Sequence, residues 1–283
     1  MTSNAEHCAA LVREADRDLF LATLFAPEPH RDALFALYAF TIEIARVRDL
    51  ARESMPGEIR LQWWRESLAG ERDAEAQAHP VAAALRATLI RYGLSADPLM
   101  ALIDARTFDL YDQPMDSLHA LDTYAQATRG AVFAFAAAVL GGLVQQTRAL
   151  AQHAGIAYTI AGAVSNLPLH AARRQLYLPR ELLDRHGLVP EAVFARETSE
   201  GLCAALADLR GHARAHLGAG GALLPEIPAA ALPAFLPLAS IGALLREMDR
   251  PAYDPFRPPR LSALRRQWLL WRAARDPRRI FSV

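Results

Sequence analysis

The stretch that decides the fold is residues 166–179, NLPLHAARRQLYLP. Asn166 and His170 stand four residues apart, a spacing that puts two side chains on one face of a regular helix. Pro168 lies between them, has no N–H for the carbonyl of Val164 and crowds that carbonyl, which costs about 3 kcal/mol inside a helix. We therefore predict that Asn166 and His170 do not share one regular helical face.

The stretch is similar to the second Asp-rich motif of the squalene/phytoene synthase family, in which a helix with two aspartates precedes a basic turn and a Tyr-Leu-Pro sequence. Counting back from Tyr177, Asn166 and His170 hold the two aspartate positions. The positions at which the family usually has Gln, Asn and Arg before this motif are held by Thr159, Gly162 and Ser165. The basic turn and the Tyr-Leu-Pro sequence of the motif are present, and its two carboxylates are missing.

Residues 33–40 resemble the family's lead-in to its first Asp-rich motif. Counting on from Phe40 places the two aspartates at positions held here by Ala45 and Asp49. Arg48 lies on the same helical face, close to the place that a dication would occupy. Of the four carboxylates that the resemblance implies, one remains.

The missing residues matter because the family, as the resemblance implies, condenses two prenyl diphosphates with Mg²⁺ ions held by two facing aspartate pairs. Mg²⁺ prefers carboxylate oxygens in a near-octahedral shell, whereas Asn offers a neutral oxygen and His a nitrogen that suits softer metals. We therefore predict no catalytic residue or metal ligand among Ala45, Asp49, Asn166 and His170, and no cofactor. Mg²⁺ is expected only if the chain is an active prenyltransferase, with Asp49 and Asp109 as ligands.

The resemblance extends over roughly residues 14 to 250. Further matching positions are Arg17-Asp18, Gln62-Trp63-Trp64, Tyr124 with Gly130, Gly155 with Ala157, and residues 177–183. The substitutions, together with Arg173 and Arg174, resemble the branch that contains the mitochondrial respiratory complex I assembly factor and its bacterial relatives. The resemblance implies an all-α, single-domain isoprenoid synthase-type helical bundle with a central cavity.

Composition and periodicity agree with that fold. The chain has 283 residues, 52% of them hydrophobic, which suffices for one large core. No linker divides the sequence, so we predict one domain over 1–283, with 218–228 as a loop between helices. Apolar periodicity predicts helices over 32–53 and 80–91, and a central buried helix over 123–144.

Charge and cysteine content exclude several classes of protein. With 31 basic and 31 acidic residues, no net field attracts nucleic acid, and every basic residue is Arg, so no mechanism rests on a lysine. Cys8 and Cys203 are too isolated for a disulfide framework or a zinc site. Residues 1–20 carry charges before any apolar run, unlike a signal peptide. We expect no uncharged apolar run to reach the roughly 18 residues of a membrane span, since the run 131–144 falls short. We expect a cytoplasmic protein.

The C-terminal segment, 261–283, is predicted to be an amphipathic helix and tail. Leu261, Leu264, Trp268 and Trp271 recur near helical spacing among arginines. Such a helix either lies in a membrane interface, with Trp at headgroup depth and Arg on anionic lipid, or packs on the core with a solvated basic face. Peripheral contact with the inner face of the cytoplasmic membrane is therefore one of two expectations.

Two functions follow from these observations. The favoured one is a synthase-like protein without synthase activity that acts in assembly of respiratory complex I, with complex I subunits or assembly intermediates as partners. The alternative is an active prenyltransferase that joins farnesyl or geranylgeranyl diphosphate head to head. In that case Asp104, Asp109 and Asp112 would supplement Asp49 as carboxylates.

The predicted cavity has arginines on its flanks that suit an anionic ligand. The candidate substrate- or anion-binding residues are Arg48, Arg52, Arg173, Arg174 and Tyr177. Guanidinium groups hold phosphate bidentately without a metal, so the pocket is expected to bind a prenyl diphosphate or an isoprenoid lipid. In the alternative interpretation these arginines pair with neighbouring glutamates.

Overall fold

The computed structural model describes residues 3–51, 53–111, 113–259 and 261–282, which contain helices and no β-strand. The α-helices in chain order are α1 (Asn4–Ala15), α2 (Arg17–Thr23), α3 (Glu28–Leu50), α4 (Ser54–Ala69), α5 (Asp73–Ala78), α6 (Pro80–Tyr92), α7 (Asp97–Arg106), α8 (Leu118–Ala125), α9 (Ala131–Val139), α10 (Gln145–Ser165), α11 (Leu167–Ala172), α12 (Arg180–Arg185), α13 (Pro190–Phe194), α14 (Glu200–Leu223), α15 (Ile241–Glu247) and α16 (Ala263–Arg275). The 3₁₀ segments are Thr107–Leu110, Leu224–Glu226, Ala229–Ser240 and Pro277–Arg279, and a π-turn spans Gln126–Gly130. The predicted all-α class is confirmed.

Internal contacts divide the chain into two compact units. The first unit comprises Met1–Tyr111, Ala131–Arg148 and Ile227–Pro237. The second comprises Asp112–Gly130, Ala149–Glu226 and Leu238–Val283. The single domain over 1–283 stays a prediction.

The core of the first unit is organised by α3. This helix starts after Pro27 with Pro29 in its first turn, where a missing N–H costs nothing, and ends at Leu50. It packs against α1, α6 and α9. Phe40 is fully buried, and its ring meets that of Trp64 edge to face at 5.2 Å. The helix predicted over 32–53 is therefore present, beginning four residues earlier and ending three earlier.

The other two predicted helices are also present, with one interruption. The helix predicted over 80–91 is α6, and it ends at Gly93, whose φ of 60° is the left-handed conformation of a helix C-cap. The stretch 123–144 is α8, the π-turn and α9 in succession, ending at Val139. Six of the nine residues of α9 are buried, as its apolar sequence predicts.

The π-turn lies in the second unit, against α10. A Cβ on Gly155 would stand 2.3 Å from the backbone nitrogen of Gly130 and 3.0 Å from the carbonyl oxygen of Ala125. No side chain fits between the two backbones, so glycine at position 155 allows their close approach.

The predicted loop over 218–228 is wrong for its first half, because α14 continues to Leu223. Gly220 is buried in this helix, and a Cβ there would stand 2.8 Å from Cε1 of Phe281. The glycine therefore makes room for an aromatic ring of the C-terminal tail and does not mark a break in the helix.

One helical segment in the described part of the chain, Ala229–Glu247, is long and apolar enough to cross a membrane by length and composition. It exceeds the run 131–144, so the expectation that no run reaches this length is corrected. In its most apolar window 61% of the residues are buried, which is typical of a core helix, and Pro233 and Pro237 keep most of it in 3₁₀ form.

Candidate functional site

The first candidate pair lies at the C-terminal end of α3, in the first unit. Ala45 is half-buried and has no ligand atom, while Asp49 is exposed and is the penultimate residue of the helix. Arg48 is half-buried beside it. Arg52, the other arginine predicted here, lies outside the described residues. This pair therefore supplies one carboxylate at the end of a helix.

The second candidate pair lies in the second unit, where the helix breaks as predicted. α10 ends at Ser165, Asn166 has φ −99° and ψ 13°, and Pro168 occupies the first turn of α11. The backbone N–H groups of Leu169 and His170 both donate to the carbonyl of Asn166 at 3.0 Å. Because Asn166 is a cap and His170 belongs to α11, the two side chains do not share one regular helical face.

The side chains of this pair interact locally. Asn166 Nδ2 donates to the carbonyl of Gly162, in the last turn of α10, at 3.0 Å. The imidazole of His170 packs against the ring of Tyr177, with centroids 4.8 Å apart. Tyr177 in turn lies 6.1 Å from the ring of Tyr124. The amide of Asn166 thus caps the end of α10, and the imidazole of His170 packs on the turn that follows α11.

The basic turn after α11 has an unusual backbone. Arg174 has a φ of 54°, a left-handed conformation that costs a residue with a Cβ about 1–2 kcal/mol. Its guanidinium carbon lies 4.6 Å from the ring centre of Phe194, and a guanidinium nitrogen lies 3.9 Å from a carboxylate oxygen of Glu191. Arg173 is exposed. Arg174 therefore pairs with a neighbouring glutamate, as the alternative interpretation of these arginines predicts, and also contacts an aromatic ring.

Asp109, the second residue predicted to bind Mg²⁺ if the chain is an active prenyltransferase, is buried. It lies in the 3₁₀ turn after α7, and its side chain is 9% exposed. Arg106 Nη1 donates to its Oδ2 at 2.8 Å. Asp104, by contrast, is 63% exposed and bonded to Arg65 at 2.6 Å. Asp112, the remaining candidate, lies outside the described residues.

The donor set at the two motifs does not fit a magnesium clamp. The pair on α3 offers the carboxylate of Asp49 alone, and the second pair offers an amide and an imidazole. Mg²⁺ binds through carboxylates in a strict octahedral shell. The family's metal chemistry therefore lacks its ligands at these four positions.

The chain matches the squalene/phytoene synthase family over residues 12–272. It belongs to that family. It is 30% identical to "NADH dehydrogenase (ubiquinone) complex I, assembly factor 6" of Rattus norvegicus, covering 89% of this chain and 76% of the rat protein. It is 29% identical to a presqualene diphosphate synthase of Sinorhizobium fredii, covering 66% and 68% of the two chains.

A crystal structure of a family member supports the same fold. The squalene synthase of Alicyclobacillus acidocaldarius superposes with a TM-score of 0.75 at 22% identity, covering 90% of this chain and 95% of that one. The synthase-type helical fold predicted from the motifs is thereby confirmed. The predicted central cavity stays a prediction.

Sequence reasoning missed a polar cluster in the second unit of this synthase-family chain. It consists of Asp122 on α8, His153 on α10, and His212 and His216 on α14, and is called here the histidine cluster. A hydrogen bond from His212 to the carboxylate of Asp122 raises the pKa of His212. Burial lowers the pKa of His153 and of His216. The four-residue spacing of His212 and His216 was visible in the sequence; their proximity to Asp122 was not.

The C-terminal helix α16 turns an apolar stripe outward. Leu264, Trp268 and Trp271 are 79%, 50% and 44% exposed. The guanidinium groups of Arg272 and Arg275 lie over the two indoles, 4.2 and 3.7 Å from the ring centres. The buried face of the helix consists of other residues, among them Leu270 and Ala273. The tryptophans thus lie on the solvent side of this helix.

Proposed function

We propose that this protein is a squalene/phytoene synthase-family member without synthase activity that acts in assembly of respiratory complex I. The observation that carries the proposal is its similarity, along 89% of the chain, to proteins named as complex I assembly factor 6. The donor set at the two motifs supports it, since three of the four carboxylate positions are held by Ala45, Asn166 and His170.

The test is deletion of the gene, followed by measurement of NADH:quinone activity and of complex I abundance in membranes. We expect both to fall, and both to return when the wild-type gene is restored. The Asp49→Ala variant should restore them equally well, because the proposed role needs no metal at this position. Normal complex I in the deletion strain would contradict the proposal.

An active prenyltransferase is the second candidate function. Two observations favour it: the identity with a presqualene diphosphate synthase, and the buried carboxylate of Asp109. Purified protein would be incubated with farnesyl or geranylgeranyl diphosphate and Mg²⁺, and pyrophosphate release measured. Release that is lost in Asp49→Ala, and kept in the exposed control Asp97→Ala, would establish this function and overturn the first. We expect no release.

We further propose that the protein binds a prenyl diphosphate or an isoprenoid lipid without turning it over. The exposed guanidinium of Arg173 and the left-handed backbone of Arg174 support this, because costly backbone conformations cluster at binding sites. Calorimetric titration with farnesyl diphosphate, with and without Mg²⁺, should show binding that the Arg173→Ala/Arg174→Ala double variant weakens. Arg257→Ala, an exposed arginine elsewhere in the unit, is the control. An unaffected double variant would contradict the site.

The location we propose is cytoplasmic, with peripheral contact to the inner face of the membrane through α16. The exposed stripe of Leu264, Trp268 and Trp271, flanked by arginines, supports it. Co-sedimentation with phosphatidylglycerol-containing vesicles should fall in the Trp268→Ser/Trp271→Ser variant. Ile90→Ser, which removes an 81% exposed side chain elsewhere, should not change it. Equal sedimentation of all variants would argue for a helix that simply caps the core.

A further inference from the structure

Three side chains of the histidine cluster converge on one point within the second unit. His212 Nε2 lies 2.9 and 3.1 Å from the two carboxylate oxygens of Asp122. His216 Nε2 lies 4.0 Å from Asp122 Oδ2. One ligand atom from each of the three residues lies within 4.8 Å of the others. His212 and His216 are four residues apart on α14, so both rings project from one face toward α8.

His212 is hydrogen-bonded to Asp122, whereas His216 approaches the same carboxylate without a hydrogen bond. At 4.0 Å, His216 Nε2 and the Asp122 carboxylate are too far apart for a hydrogen bond. Two nitrogen or oxygen ligands at about 2.1 Å from one tetrahedral zinc ion stand about 3.4 Å apart. Shifts of about an ångström or less, within the freedom of side-chain torsions, would bring all three atoms onto one ion.

His153 holds His216 in the orientation that such an ion requires. The two Nδ1 atoms lie 2.8 Å apart, so one donates a hydrogen bond to the other. A neutral imidazole has a single N–H. When the Nδ1–H of His216 donates to His153, its Nε2 lone pair faces Asp122 and is free to ligate. A hydrogen bond to the second ring nitrogen is the usual support of a ligating histidine.

We propose that Asp122, His212 and His216 bind one divalent transition-metal ion, with His153 as the positioning residue. Two imidazoles and one carboxylate with an open further position suit zinc or iron(II) and not magnesium. The ion would join α8 to α14. The side chains are 17–26% exposed, so the ion has access from solvent and room for a water or an external ligand. This site is separate from the residues of both Asp-rich motifs and independent of the proposed role in complex I assembly.

The test uses the full-length protein after treatment with a chelator, titrated calorimetrically with ZnCl₂ and, under anaerobic conditions, with Fe²⁺. We expect one ion per chain. His212→Ala and Asp122→Asn should abolish this binding, and His153→Ala should weaken it by about 10- to 100-fold, as loss of a supporting hydrogen bond does. Circular dichroism of each variant checks that it is folded.

Two control variants separate this site from other binding groups. His186→Ala removes a histidine of the same unit that is paired with Asp208 and lies outside the cluster. Cys203→Ser removes an exposed thiol, a group type that zinc can bind, outside the cluster. Both should leave the stoichiometry and affinity unchanged. No binding of either ion, or equal binding by folded His212→Ala and wild type, would overturn the proposal and leave Asp122 and His212 as an ion pair.

Discussion

Replacing Gly155 by alanine should destabilise the protein, because α10 there touches the backbone of the π-turn. The added Cβ would lie 2.3 Å from the nitrogen and 2.6 Å from the Cα of Gly130, and 3.0 Å from the carbonyl oxygen of Ala125. All three atoms are backbone and cannot rotate away. Overpacking of this kind costs about 1–3 kcal/mol, whereas alanine in a helix gains about 0.5–1 kcal/mol over glycine. With the cost at its upper end, the free energy of unfolding should fall by about 2 kcal/mol.

The matched control is Gly162→Ala, seven residues further along the same helix. An added Cβ at Gly162 meets no atom within 4 Å, so this variant should gain about 0.5–1 kcal/mol. In urea titrations and thermal scans followed by circular dichroism, Gly155→Ala should lower Tm by about 3–4 °C and Gly162→Ala should raise it slightly. The reasoning is refuted if Gly155→Ala is as stable as wild type, or if both variants shift Tm in the same direction.

Three further predictions concern buried groups. Arg106→Ala removes the guanidinium that neutralises buried Asp109, so urea unfolding should show a loss of about 3–5 kcal/mol; a loss below about 1 kcal/mol would mean that the pair behaves as an exposed one. Burial raises the pKa of the Cys8 thiol to about 11, so iodoacetamide at pH 8 should label exposed Cys203 first, as read by peptide mass spectrometry; equal labelling would contradict the burial. The hydroxyl of Tyr253 is buried and has no hydrogen-bond partner in the described part of the chain, so Tyr253→Phe should leave stability unchanged or raise it by up to about 1 kcal/mol. Burial also raises the pKa of Tyr253 to about 12. Its contribution to stability is therefore complete below the unfolded-state pKa of about 10 and is lost as pH rises toward the folded-state value, which alkaline unfolding curves of wild type and Tyr253→Phe should distinguish.

The sequence predicted regular helices correctly where proline positions and apolar periodicity indicate the same helix. α3 and α6 have apolar faces with prolines only in the first turn, so their positions were predicted within four residues. The π-turn was not predictable, because it coincides with the contact of Gly130 and Gly155, which are 25 residues apart in the chain. The same limit applies to Gly220, whose reason for being glycine is the ring of Phe281. A glycine indicates a loop or a close contact, and the sequence alone does not distinguish the two.

The missing ligands could be predicted because motif positions are fixed by counting from the neighbouring residues. The break at Asn166 followed from Pro168, whose effect is local to one helical turn. The burial of Asp109 and the left-handed backbone of Arg174 did not follow, since both depend on the packing of distant segments. The histidine cluster shows the same limit, because Asp122 meets His212 across 90 residues of chain.

Two residues on one face of α10 indicate that the sequence before the second motif is not optimised for stability alone. Thr159 and Gly162 lie three residues apart, at positions where the family usually has Gln and Asn. The hydroxyl of Thr159 is buried with no hydrogen-bond partner among the described residues, which costs about 1–3 kcal/mol. Gly162, in the last turn of α10, costs up to about 1 kcal/mol relative to alanine, although space for a side chain is present. Valine and alanine would remove both costs without a clash at Gly162. The residues at these two positions are therefore not the ones that stability alone would favour.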